Sequence, residues 1–418
     1  MKEFEHAHKV LLSIFNEELS FQLAINNSLK QEKKKIDHEF KNTVFSLVGC
    51  SLRHYFVFEE IAKRKYTNLD INQLSLLMLG LSNKLFVKKV NVDELNKYIA
   101  KESGLEDAEQ FISDYSDPTN LIPQDIPVDS KKYIHLRYNL TLWIVNMWAK
   151  NNGPVLSNRL YRSFGQNSSK LVRINTQQIS HEEFFKKYND FAEVEDNNLA
   201  LHTGQENLRL NPAIKNHDAL RMPCAYSYMC KDLDLDPVRG ITIFAESENH
   251  LLDELYLLLG NEFPFEYICG DQKTYFNVNE KVKKYHLSQG GLFEAKSSGI
   301  ITCVSKPVHT FFVCPKNSSF ALLKEYPDYF LTIKQEDLDS LIEEEERALE
   351  EASHFVEDGG NLVYFVPTIC KNEGHSLVRR FLNNHNDYSL VIEKQLFPFD
   401  HYKSFMYFAI LRKEVLHD

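Results

Sequence analysis

From about Pro212 onward, short apolar runs of strand length alternate with segments of helical periodicity, and this alternation limits the possible folds more than any other feature. The strand-like runs are 241–244, 267–269, 299–304, 310–313, 362–366 and 405–411; the helix-like segments include 250–259, 335–355 and 376–384. Strand, helix, strand with short connections predicts a parallel, doubly wound α/β sheet. Within it, residues 354–373 read as a helix end, a Gly359-Gly360 turn supplying positive φ, and an apolar strand stopped by Pro367. Doubly wound α/β enzymes place chemistry just beyond such a strand, which directs attention to Pro367-Thr368-Ile369-Cys370. The last run, after Gln395-Leu396-Phe397-Pro398, is expected at or near the sheet edge.

The preceding half reads differently. Residues 1–130 repeat apolar positions at helical spacing, as in Ile71, Leu74, Leu77 and Leu81, with no proline before Pro118. They predict an all-helical domain, on which Lys33-Lys34-Lys35 is a solvated helix end. Pro118, Pro123 and Pro127 mark a linker. Residues 131–211 then read as a small mixed α/β module. It holds a helix with both tryptophans, a stop at Asn152-Gly153-Pro154, a strand at 169–176 and a capping start at Ser180-His181-Glu182-Glu183. Residues 212–418 form the third domain.

Charge adds one contrast. The chain is acidic overall, at −11, which argues against a general nucleic-acid binder. Yet residues 131–181 carry eight Lys or Arg and no Asp or Glu, whereas 336–351 carry nine acids against Arg347 alone. A purely basic stretch binds a polyanion locally; the run Glu343–Glu344–Glu345–Glu346 reads as the solvated face of its helix. Seven cysteines without a CxxC pair, and no apolar window long enough to span a membrane, suggest a cytoplasmic protein with reduced thiols. His286, His309 and His375 lack ligand spacing, so no metal is expected. No Walker-type loop or GxSxG elbow is present.

Two stretches carry a resemblance. Leu171-Val172-Arg173-Ile174-Asn175-Thr176 matches a Leu-Arg-Val-Asn-Thr strand. The block from Gly359 to Arg412 follows the order Gly-Gly, Leu-Val-Tyr, a Thr-containing turn, Glu, Val-xx-Phe-Leu, Leu-Phe-Pro and a closing aromatic strand. In these the chain resembles the Sun/Fmu family of ribosomal RNA cytosine carbon-5 methyltransferases. The resemblance implies a NusB-like helical domain, a small RNA-binding module and a Rossmann-like class I methyltransferase domain.

The family's chemical motifs are altered here. Its Gly-rich S-adenosylmethionine loop corresponds to Ala245-Glu246-Ser247-Glu248-Asn249, which has no glycine and adds two carboxylates. The ribose-binding acid falls at Gly270, with Asp271 adjacent. The Asp-Ala-Pro-Cys turn reads Val313-Cys314-Pro315-Lys316, and Pro367 stands where a second cysteine belongs. Family chemistry needs a thiolate to attack the flipped base. Cys314 and Cys370 are the substitutes to consider, but a two-residue offset in extended chain moves an atom by ~6.6 Å.

The reading is therefore an RNA-binding protein with this architecture, no expected cofactor and no methyl transfer. Phosphate contacts are expected from Lys131, Lys132, Arg137, Lys150, Arg159, Arg162, Lys170 and Arg173, with Asn175 also at the RNA. One alternative is an active, divergent enzyme binding S-adenosylmethionine and using Cys370 or Cys314. Another is a protein-interaction subunit that pairs with a catalytic homologue or uses its helical N-terminal domain on a protein partner.

Overall fold

The computed structural model describes residues 2–30, 37–165, 170–194, 198–204, 208–236, 238–247, 249–287, 290–295, 300, 303–304, 306–399 and 405–415. The Lys33-Lys34-Lys35 run and Glu248 lie outside the described residues. The chain divides into two compact units, Met1–Gly165 with Leu322–Gln335, and Gln166–Ala321 with Glu336–Asp418. The acid-free segment is thereby split: Lys131 to Arg162 belong to the first unit, Lys170 and Arg173 to the second.

The first unit is helical. At its centre runs Ile71–Ser82, where every residue from Leu74 to Ser82 is buried, as expected of a helix apolar on all sides. A capping box between Asp70 and Gln73 starts it. Gly80 lets neighbours close in, because a Cβ there would lie 2.5 Å from Ile112 Cδ1 and 2.7 Å from Ile99 Cδ1. The anticipated stop at Gly153 is a kink: Gly153 has φ 71°, and Pro154 reopens helix within Leu142–Phe164. Leu322–Gln335 is sequence-distant yet integral to this unit. Asp328 Oδ2 accepts from Phe21 N at 2.8 Å, capping the helix Phe21–Lys30, and Phe330 packs on Tyr55 and Phe56.

The second unit holds two sheets. The smaller one comprises β1 (Leu171–Ile174), β2 (Phe191–Glu193), β3 (Leu199–His202) and β4 (Ala219–Leu220), antiparallel in the order β2-β3-β1-β4. The anticipated capping box at Ser180 and Glu183 opens the helix His181–Lys187.

The larger sheet is built from β5 (Ile241–Ala245), β6 (Phe265–Cys269), β7 (Gly290–Glu294), β8 (Val308–Cys314), β9 (Val356–Val366), β10 (Tyr388–Leu396) and β11 (Met406–Lys413). Its order is β10-β11-β9-β8-β5-β6-β7, with β7, β6, β5, β8 and β9 parallel and β11 antiparallel to both its neighbours. Helices cover both faces, Leu251–Leu259 on one and Leu338–Ser353 and His375–Asn384 on the other. The expected doubly wound α/β sheet is present.

Two local expectations fail. Gly359-Gly360 does not close a helix; the helix ends at Ser353, and both glycines lie inside β9. They form a bulge against β8, where the register jumps from Val308↔Val356 to Thr310↔Asn361. Gly359 has φ 74°, and a Cβ on Gly360 would lie 2.7 Å from His309 O. Secondly, the strand anticipated at 299–304 is absent among its described residues; the edge strand is β7, whose half-exposed Gly-Gly-Leu-Phe-Glu gives little apolar signal. The last strand, β11, does lie near the edge as expected, one place in. Met406 to Leu411 are buried without a break, the pattern of a strand covered on both faces, and the alternating β10 takes the edge.

Candidate functional site

The carboxyl ends of β5, β6, β8 and β9 form the rim where a doubly wound sheet places its ligand. At the end of β5 the chain turns through Glu246, whose N–H donates to Cys314 O at 3.0 Å. Its carboxylate presses on Gly270, so any Cβ there would collide with the Glu246 side chain and Cα. Burial, then the neighbouring Glu344, raises the Glu246 pKa, against the opposing pull of Lys316. Asn249 O accepts from Lys281 Nζ at 2.7 Å, pinning the far side of the loop. Asp271 Oδ1 accepts from Thr274 N at 2.6 Å, capping the helix Gln272–Lys284; that hydrogen bond holds its carboxyl below the usual range.

The turns after β8 and β9 are tied to each other. Ala321 N donates to Pro367 O at 3.1 Å, and Ser318 Oγ lies 2.9 Å from Thr368 Oγ1. Both hydroxyls donate to Glu373 Oε2, at 2.6 and 2.7 Å, while Ser318 N donates to Oε1 at 2.5 Å. Tyr364 OH donates to Glu373 O at 2.7 Å. Glu345 approaches this knot from the helix Leu338–Ser353. Glu373 and Glu345 are both fully buried.

Glu345 therefore does not join a solvated acidic face. It falls with Leu341, Ala348, Leu349 and Ala352 on the buried stripe of its helix. That spacing was present in the sequence, masked by the run of four glutamates. The candidate thiols are equally closed in: Cys314 is 4% exposed and Cys370 2%. Burial pushes each thiol up to about 12, far from the thiolate a nucleophile requires. Lys316 is exposed, 3.9 Å from Glu344 Oε2.

The basic residues separate into two kinds. Lys131, Lys132, Arg137, Lys150, Arg159, Arg162 and Lys170 are exposed; Lys132 meets Glu60 at 2.8 Å and Lys170 Nζ donates to Gly204 O. Arg173 is 2% exposed and forks onto Glu254, with Nη2 at 2.9 Å from Oε1 and Nε at 3.1 Å from Oε2. Asn175 is 1% exposed, donating to His217 O and accepting from Gln177 N. Both are internal fasteners of the second unit: Arg173 holds Glu254 from 81 residues away, and the Asn175 amide holds His217 O from 42 residues away. No cluster of three or more His, Cys, Asp or Glu fit for a metal occurs among the described residues, nor does a helix long and apolar enough to cross a membrane.

The strand order, with one antiparallel strand slotted beside the edge, defines a Rossmann-like methyltransferase fold. Solved structures share it. "PH0851" aligns over 99% of both chains at 14% identity and TM-score 0.75. A methyltransferase homolog protein from Pyrococcus horikoshii matches over 67% of this chain and 98% of its own, at 16% identity and TM-score 0.57. NSun6 from Pyrococcus horikoshii, solved with SFG, covers 69% of this chain and 99% of its own, at 10% identity and TM-score 0.56. No family model and no curated protein matches the sequence.

Proposed function

We propose that this protein binds RNA, possesses the architecture of an RNA cytosine carbon-5 methyltransferase, and does not transfer methyl groups. The observation that carries the reading is the rim itself. Where S-adenosylmethionine would need open backbone at the end of β5, the Glu246 carboxylate rests on Gly270. The residues present do not fit that cofactor's amino-acid end. Two buried, neutral thiols agree with this, as does the absence of an acid at Val313.

RNA contact is assigned to exposed cations only: Lys131, Lys132, Arg137, Lys150, Arg159 and Arg162 on the helical unit, and Lys170 on the other. Their role is phosphate neutralisation, which is sequence-independent and salt-sensitive. A role in ribosomal RNA maturation follows from the family resemblance, and the RNA to test first is ribosomal. The reading with an active enzyme draws its support from NSun6, a structural neighbour solved with SFG.

Calorimetric titration with S-adenosylmethionine separates the two. The proposal expects no heat and no thermal shift with cofactor in excess; binding with methyl incorporation into RNA would sink it. Alanine replacement of Arg159, Arg162 and Lys170 together should weaken RNA binding and reduce the salt slope by about one for each phosphate no longer neutralised. Unchanged affinity and slope would refute the RNA assignment while leaving the cofactor result standing.

A further inference from the structure

The knot beneath the two turns contains an unusual pairing. Glu373 accepts three donors, from Ser318 N, Ser318 Oγ and Thr368 Oγ1, as an ionised carboxylate does. Glu345, wholly buried beside it, has only the Tyr364 hydroxyl close by as a donor, and that hydroxyl is engaged with Glu373 O at 2.7 Å. The charged or titratable groups facing Glu345 are Glu373 and Tyr364 from the strand and turn, Glu346 on its own helix, and Cys314 from β8. The Cys370 thiol is near enough that both Glu373 and Glu345 help to raise it. No Lys or Arg stands among them. An unpaired buried carboxylate beside a second one is strongly disfavoured, and a single shared proton removes the repulsion.

We propose that Glu345 holds a proton at neutral pH and donates it to Glu373, so that the pair is a latch closing the turns at 315–319 and 367–373, released when that proton is lost as pH rises. The helix and the two turns belong to different elements. The pair joins the helix to the turns, while Ser318 and Thr368, both donating to Glu373, and Ala321 N, donating to Pro367 O, join the turns to each other. Ionising both acids sets like charges face to face across the helix–turn seam, and the turns next to Cys314 and around Cys370 loosen.

The sign follows from burial, which raises both carboxyls above their unfolded values. Stability from the latch is complete below the unfolded carboxyl pKa of about 4.3 and declines as pH rises toward the pair's titration. The two acids titrate as one coupled system. Tyr364 and both thiols are shifted upward and stay protonated through this range.

The test compares wild type with Glu345→Gln, whose amide donates to Glu373 without titrating. Chemical denaturation across pH about 5 to 9 should show the wild-type folding constant falling relative to the variant, by up to about tenfold per pH unit. Alkylation of Cys314 and Cys370 at matched pH should accelerate in wild type relative to the variant as pH rises. Parallel stability profiles and a constant labelling ratio overturn the proposal. If Glu345→Gln folds poorly, infrared spectra of the wild type decide: a protonated-carboxyl band at neutral pH supports the latch, and its absence rejects it.

Discussion

Glu254 and Glu345 are both fully buried glutamates on helices that cover opposite faces of the same sheet. Glu254 meets the Arg173 fork and accepts from Ser227 Oγ at 3.1 Å. Its neighbour Asp253 accepts from Tyr285 OH at 2.5 Å and lies 2.8 Å from Lys281 Nζ and 3.0 Å from His250 Nδ1. Glu345 meets another acid. Burial is the same on the two faces, so the partners alone decide the charge state. Around β5 and its helix cations are supplied, and Asp253 is held well below the usual carboxylate range; beneath β8 and β9 none is supplied, and burial raises both acids. The first arrangement welds the small sheet to the large one, and the second leaves a seam that responds to pH.

The largest test of this contrast removes the cation. Arg173→Met should destabilise the protein by about 3–5 kcal/mol in urea denaturation, because it leaves Glu254 buried and uncompensated. A loss below about 1 kcal/mol would mean that water reaches Glu254 and that the contrast is one of exposure instead. The next effect is opposite in pH direction to the latch. Burial alone would raise Asp253, but His250 and then Lys281 hold it well below the usual range. Its stabilisation is present above the unfolded value of 3.8 and is lost as pH falls through the acid range. Asp253→Asn should flatten acid denaturation there, where wild type loses about 1.4 kcal/mol per pH unit.

A smaller effect belongs to the rim. Gly270→Ala should cost about 1–3 kcal/mol by overpacking against Glu246. Combined with Glu246→Ala, the cost should fall only in part, because the Glu246 Cα would still lie 2.6 Å from the added Cβ, and a double-mutant cycle in denaturant measures the side-chain share. Additive costs would place the strain elsewhere. The smallest effect concerns Lys316, whose ammonium is exposed and 3.9 Å from Glu344. Lys316→Ala should change stability by less than about 0.5 kcal/mol, and a larger thermal shift would show that this cation reaches the buried acids after all.

The sequence exposed the frame better than the side-chain partners. β5, β8 and the core of β9 were readable as apolar runs because both faces are covered, and Ile71–Ser82 was readable from its apolar repeat. β10 was not, since Glu393, Lys394 and Gln395 interrupt it at an exposed edge. The helix Gln272–Lys284 was hidden by its lysines, with Thr274 and Val278 as its buried anchors. At the candidate site, the departure from the glycine loop and cysteine positions that the family resemblance implies was legible from residue identity. What filled the space was not. Arg173 looked like a phosphate ligand because its partner lies 81 residues away, and charge alone does not tell a paired buried guanidinium from a solvated one.

The placement of β11 has a consequence for how the protein is made. β9 is eleven residues long, and its flank opposite β8 is hydrogen-bonded only by β11, through Asn361 to Val366. During synthesis that flank stays an open apolar template until residues 406–413 arrive, some forty positions later. Exposed strand edges of this kind recruit other chains. A nascent chain stalled between β9 and β11 therefore has its stickiest surface on display, and it is there that a chaperone would have most to protect.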